Sequence, residues 1–516
     1  VLTLNNLLPV LILLSTCSSI HAKTQDQAQT VKSTYNIVSE PSVSPSDENE
    51  IQSTSNDLVL TESILRSLIE KTPPSVQQIE ASFLDSKRAD LAAKDKFALS
   101  FEAEGQVFKS QERLLNNFDA VTQNATNYTI GLVKPTEYGV DLSLKAFGDK
   151  ITNAFVSGAS TNGVIFGLSV DLYQDFFGRK TKWSLKQADA NFKKAKLEKE
   201  VELKTFEANL RKMYWSLVSN EEKKILMESL VKTAEQQLSD AMDRRRSGVT
   251  DDGEIARFKS QLSSRKANLI GLAYEKSEIS KNLRELLPEL SSKKLLIKNY
   301  DVNLATQKVF ECIALINSQS STPLEYTLYD EIVDLLIEDN KYQQKIIGTY
   351  NDIDVKLSGE YSNVGRDFSF EGARQDFADD PRARSNISLK VSMPLDGKKT
   401  KTKEVTEQAY KNKIISVAQG HLSKIDAFHT ETIQIIGSLR DILKSQKETS
   451  QYLGQSLQES RKKFNQGRTS LQELISEQDA QVQNKLNEID SNLIIVNTII
   501  DYFSIYTTTP CDFNRI

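Results

Sequence analysis

Two strings in this chain, GRKTK at 178–182 and GKKTK at 397–401, lie 219 residues apart (397 − 178). A second pair keeps the same offset. RRSGVTDDGEI (245–255) aligns with FNQGRTSLQEL (464–474) through Gly248/Gly467, Thr250/Thr469 and Glu254/Glu473. Two landmarks in one register imply an internal duplication, so any fold must be built from two copies of one plan. Between Gly178 and Gly248 there is neither Pro nor Gly, and between Gly397 and Gly467 there is no Pro. Both intervals are 70 residues (248 − 178 and 467 − 397). Phe206, Leu210, Met213 and Leu217, then Leu226, Leu230, Ala234 and Leu238, recur at helical spacing, as do Ile436, Leu439 and Leu443. That stripe belongs to long packed helices of coiled-coil type. A continuous helix of that length reaches about 105 Å. Past each tip Gly the pattern resumes, to Leu287 before Pro288 and to about Tyr506.

Ahead of each long helix the period falls to two. FALSFEAEGQV (97–107), TNYTIGLV (126–133), YGVDLSLKA (138–146) and GVIFGLSVDLY (163–173) alternate apolar with polar residues in the first half. DVKLSGEY (354–361) and NISLKVSM (386–393) do so in the second. One-sided strands of this kind suit a soluble sandwich or an outer-membrane barrel, and alternation alone does not separate the two.

The repeats leave the ends as separate segments. Leu7–Leu14 is apolar, with small residues after it and a cleavage position after Ala22, so 1–22 reads as a signal peptide. Cys17 sits in LSTC, loosely like a lipoprotein box. Residues 23–56 are polar, with few apolar positions, and read as a disordered lead-in. The first repeat covers 57–287, with helix from about Asp57, a break at Pro73-Pro74 and helix again to Asp95. A connector (288–323), the second repeat (324–506) and a tail (507–516) complete the division. No later run of roughly 18 apolar residues occurs. The net charge of −5 gives no case for nucleic acid. Cys312 and Cys511 are available to pair after export, though their spacing does not establish a bond. No phosphate loop, metal spacing or nucleophile motif is present, so neither catalysis nor a cofactor is expected. His421 and His429 read as packed or solvated side chains.

On the doubled plan, on PLDG (394–397) followed by basic residues, and on a tip Gly with an acid six residues later, the chain resembles the TolC-like outer-membrane efflux and secretion channels over about 57–506. The resemblance implies an α+β membrane protein of the outer membrane. Three protomers would share one β-barrel, continuous with a periplasmic tunnel of coiled-coil helices. The implied partners are two further copies, a periplasmic adaptor, an inner-membrane pump of RND or ABC type, and outer-membrane lipid. The implied function is the outer component of a tripartite efflux pump or a type I secretion system. The rival is a secreted, soluble coiled-coil scaffold. GRKTK and GKKTK would mark where each repeat leaves the membrane. Tyr173, Phe176, Phe177 and Trp183 suit an interfacial aromatic girdle or buried packing. The family usually gives four strands per protomer, whereas here an added hairpin around KPTEYG leaves four or six open.

Carried over by motif, adaptor contacts fall on Ser247, Gly248, Val249 and Thr250, and on Gln466, Gly467, Arg468 and Thr469. The gate falls on Glu254, Phe464, Arg468 and Glu473. Phe464 stands where the family has Tyr, and Thr469 where it has Arg, with Arg468 one position early. The gate is therefore expected to be built differently, with Arg244, Arg245 and Arg246 available to Asp251, Asp252 or Glu254. Glu254 and Glu473 are read as an acidic ring that favours cations, or as caps on the returning helices.

Overall fold

The computed structural model describes residues 57–110, 122–153, 158–248, 251–298, 300–318, 327–349, 353–393, 395 and 398–506. The expectations for the signal segment, the 23–56 lead-in, Val249, Thr250, Cys511, the tail and most of PLDG lie outside these residues. Strand β1 (Asp57–Leu60) precedes helices α1 (Glu62–Glu70) and α2 (Pro74–Asp95). Strands β2 (Ser100–Lys109), β3 (Thr122–Pro135), β4 (Val140–Asn153) and β5 (Ala159–Asp171) follow, then the long helix α3 (Arg179–Arg246) and its return α4 (Asp252–Leu286). Strand β6 (Lys294–Ile297) and helix α5 (Val302–Ser318) form the connector, and helix α6 (Leu328–Thr349) leads into the second half. There β7 (Asp354–Asp367), helix α7 (Phe370–Asp379) and β8 (Arg382–Ser392) are followed by α8 (Lys398–Asn465) and α9 (Leu471–Ile505).

The duplication is exact in the helices. α3 and α8 each have 68 residues, and α4 and α9 each have 35. All four boundaries keep the 219-residue offset (398 − 179, 465 − 246, 471 − 252, 505 − 286). Upstream the offset is larger. α2 and α6 each have 22 residues, and both their starts (328 − 74) and those of β2 and β7 (354 − 100) differ by 254. The first repeat therefore gains 35 residues (254 − 219) inside its strand region. That gain is the added hairpin.

It enlarges the sheet. The order is β2-β3-β4-β5-β7-β8, with every neighbouring pair antiparallel. Among the described residues the sheet has six strands, four from the first repeat and two from the second, where the sequence left four or six open. The expected helix at Asp57 is instead a strand, because Asp57–Leu60 pairs in parallel with Lys294–Ile297 and buries Leu60 completely. Around this short pair lies the main hydrophobic core, with Leu210, Leu217 and Val218 of α3 and Ile495 and Ile499 of α9 at its centre. Phe206 is about 40 Å along α3 from its start. The core thus belts the middle of the long helices, not their ends. Cys312 is buried in it and disulfide-bonded. No helix among the described residues is long and apolar enough to cross a membrane.

Candidate functional site

Side chains directly opposite in an antiparallel ladder point to the same face. One row crosses five strands as Phe101, Leu132, Leu144, Phe166 and Tyr361. All five are exposed, between 42% and 68%. Neighbouring rows on this face add Ile130, Leu168, Ile387, Leu389 and Val391, also exposed. The opposite face is polar. It carries Glu102 and Glu104 on β2, Ser143 and Lys145 on β4, Ser358 and Glu360 on β7, and Asn386 and Lys390 on β8. Lys145 Nζ reaches Glu102 Oε2 at 2.8 Å across β3. Gly131 stands between them, where a Cβ would lie 2.5 Å from the Lys145 side chain. Farther along the same face Phe370 of α7 packs on Tyr128 at 5.7 Å and its carbonyl accepts from Asn162 Nδ2 at 2.9 Å, but the apolar rows themselves stay exposed. Such a band suits lipid, and a charged opposite face suits water.

The sheet meets the helices at the first repeated string. Gly178 caps α3 with φ +70°, and a Cβ there would lie 1.8 Å from the Glu137 carbonyl oxygen. The turn of the added hairpin is thus seated on the start of α3, and Lys182 covers the Tyr138 ring at 5.1 Å. Of the four aromatics named from the sequence, Tyr173, Phe176 and Phe177 are exposed. Trp183 instead stacks on Tyr342 of α6 at 5.8 Å, with Lys345 over its ring.

At the far end, both long helices stop in the same way. Gly467 has φ +71°, its N–H donates to the Phe464 carbonyl at 3.0 Å, and Arg468 N–H donates to Lys463 at 2.8 Å. This is a Schellman ending, which needs a left-handed residue. Gly248 has φ +74° and donates to the Arg245 carbonyl at 2.9 Å. A Cβ on either Gly would meet nothing within 4 Å, so the backbone angle, not crowding, selects glycine. Ser247, Gly248, Gln466, Gly467 and Arg468 are exposed and Thr469 is half-buried.

The acids after each Gly cap the returning helices. Asp251 Oδ1 accepts from Glu254 N–H at 2.7 Å, and Ser470 Oγ accepts from Glu473 N–H at 3.2 Å. Glu254 and Glu473 therefore occupy the same capping position, three residues after the cap. Their surroundings differ. Glu473 is exposed and accepts from the Thr469 hydroxyl. Glu254 is half-buried and lines a cavity of about 190 Å³ with Arg244, Arg461 and Phe464. Phe464 packs on Ala241, Ile255, Phe258 and Leu471, and the Arg244 guanidinium lies 4.9 Å from its ring centre. Arg244 also donates to Asn465 Oδ1 at 3.1 Å, while Arg245 pairs with Asp252 at 2.7 Å. The two repeats are thus joined at the tip by packing and a cation over a ring. Sequence reasoning found the cations available but missed this Arg244–Phe464 pairing, whose signal was the loss of the Tyr hydroxyl.

Comparison with known proteins gives the same architecture. Residues 102–288 match the family of outer membrane efflux proteins. The fold is that of VceC, an outer membrane protein of Vibrio cholerae, at TM-score 0.61 and 12% identity, over 86% of this chain and 95% of that one. The Campylobacter jejuni CmeC outer membrane channel aligns at TM-score 0.58 and 12% identity, over 93% and 96%. The Neisseria gonorrhoeae MtrE outer membrane channel, in its open state, aligns at 0.56 and 10%, over 90% and 97%. No curated protein matches the sequence. The TolC-like resemblance drawn from the repeats is borne out in fold.

Proposed function

We propose that this chain, with the fold of outer-membrane efflux channels, is the outer-membrane duct of an export system, and that three copies close its sheet into one barrel above a periplasmic helical tunnel. The observation that carries the reading is the uncovered apolar ladder from Phe101 to Tyr361, backed by a charged face and continuous with two helices of equal length. A soluble scaffold would leave that ladder in water, which costs roughly 25 cal/mol for each Å² of apolar surface. Three copies of six strands make an 18-stranded barrel, wide enough for an aqueous lumen. The helices carry no energy source, so an inner-membrane pump and an adaptor would supply it. The tip turns, exposed at Ser247, Gly248, Gln466, Gly467 and Arg468 with Thr469 half-buried, are the surface offered to the adaptor. Fractionation tests the reading. The protein should leave the outer membrane only with detergent, as a trimer that heat dissociates, and should conduct ions in a planar bilayer. A monodisperse soluble monomer from the periplasm would overturn it.

A further inference from the structure

The sheet ends in two free edges. β2 and β8 are exposed along their whole length on both faces. Such edges present unpaired backbone donors and acceptors, a template for another strand. They also differ in charge. The polar row Ser100–Val133–Ser143–Gly167–Glu360–Asn386 runs edge to edge. On this face β2 offers Glu102 and Glu104, and β8 offers Arg382, Arg384 and Lys390. One edge is acidic and the other basic.

We propose that the β2 edge of one copy pairs antiparallel with the β8 edge of the next, and that Lys390 engages Glu102 or Glu104 of that next copy on the lumen side. The proposal rests on the barrel reading above and specifies its seam. Register follows from closure. If Asn386 meets a residue k positions beyond Ser100 of the next copy, the register climbs k per protomer and three times k around the ring. Because side chains alternate, k must be even for the polar face to stay inside. With a rise of about 3.3 Å and a strand spacing of about 4.8 Å, k of about 4 tilts the strands by about 25°, about 6 by about 35°, and about 8 by about 43°. Membrane barrels tilt by roughly 35–45°. Only the last two values fit, and they set Lys390 opposite Glu102 and Glu104 respectively. Either also sets Val391 and Leu389 beside Phe101, Ala103 or Gly105, so the apolar band continues across the seam.

The energy of such an exposed pair is small. Its value is selective, because β2 against β2 would oppose acids and β8 against β8 would oppose bases, and like charges directly opposite destabilise. Head-to-tail pairing is the arrangement that closes a ring.

The test uses the full chain in outer membranes. Lys390→Cys is combined with Glu102→Cys, or with Glu104→Cys, oxidised, boiled and run on a non-reducing gel. One of the two pairs should give covalent dimers and trimers, and each single variant should give none. In parallel, Lys390→Glu should lower the temperature at which the trimer dissociates, and adding Glu104→Lys, which leaves the Lys145–Glu102 pair in place, should raise it again. A trimeric wild-type protein in which neither pair cross-links, and in which the combined reversal is no better than Lys390→Glu, overturns the seam and leaves the barrel reading standing. A monomeric wild-type protein overturns the barrel reading itself.

Discussion

Glu62 carries more of the molecule than its place at a helix start suggests. Its carboxylate accepts from Trp215 Nε1 at 2.6 Å and pairs with Arg211 Nη2 at 3.0 Å, where the side chains are only 16% and 9% exposed. Breaking such a pair strands a desolvated charge. Glu62→Ala should cost about 3 kcal/mol in thermal unfolding of the detergent-solubilised protein, and Glu62→Gln, which keeps the Trp215 acceptor, clearly less. His429 gives a pH signature. Its Nδ1 lies 3.1 Å from the Tyr502 hydroxyl, and burial lowers its pKa, with Asp426 pulling weakly the other way. The unfolded chain then takes up the proton first, so the stability it contributes is full above about pH 6.5 and is lost as pH falls below that. Acidification should lower the melting temperature, and His429→Phe should flatten that slope. At the tip, the two repeat-equivalent acids are unequal, since Glu254 faces Arg244 and Arg461 across a cavity and Glu473 faces solvent. We expect Glu473→Gln to reduce cation selectivity in planar bilayers more than Glu254→Gln, with Gln preserving the capping position in both. Equal effects would argue that Arg244 does not neutralise Glu254.

Among the elements, the long helices were the most legible in sequence. Absence of Pro and an unbroken apolar stripe leave a chain few alternatives, and glycine at each end supplies the left-handed stop. The alternating strands were legible for the same reason of period, including the β3–β4 hairpin behind KPTEYG. What escaped was local and short. β1 and β6 have four residues each and exist only because they pair with each other. α7, in the β7–β8 connection, is capped by Ser369 Oγ accepting from Gly372 N–H at 3.0 Å. Its ten residues bury little beyond Ala373, so they write no stripe. The sequence named the proposed gate positions but not their contacts, because Arg244 and Phe464 lie on different repeats and meet only after both helices are in place. Equal helix lengths carry a prediction of their own. Removing seven residues, about two turns, from α3 alone should misalign the tip turns and impair trimer assembly. The same removal from both α3 and α8 at equivalent positions should be milder, as read by the heat-dissociable trimer on gels.

For the molecule as a whole, the helical register is constant and the strand count is not. A 35-residue gain placed between β2 and β5 leaves every downstream helix boundary in phase. Because the gain adds two strands, both helices of each repeat still begin and end on one side of the sheet. The tip can therefore keep its geometry while the sheet widens, and Gly178 is where the added hairpin is fastened to the helical part. The central claim is that one sheet face touches lipid and the other touches water. Single cysteines placed in turn from Leu142 to Phe147 of β4, spin-labelled in reconstituted membranes, test it most directly. Oxygen accessibility should peak at Leu142, Leu144 and Ala146, and accessibility to a water-soluble nickel complex at Ser143, Lys145 and Phe147. Equal accessibility of both sets to the water-soluble reagent would contradict the account.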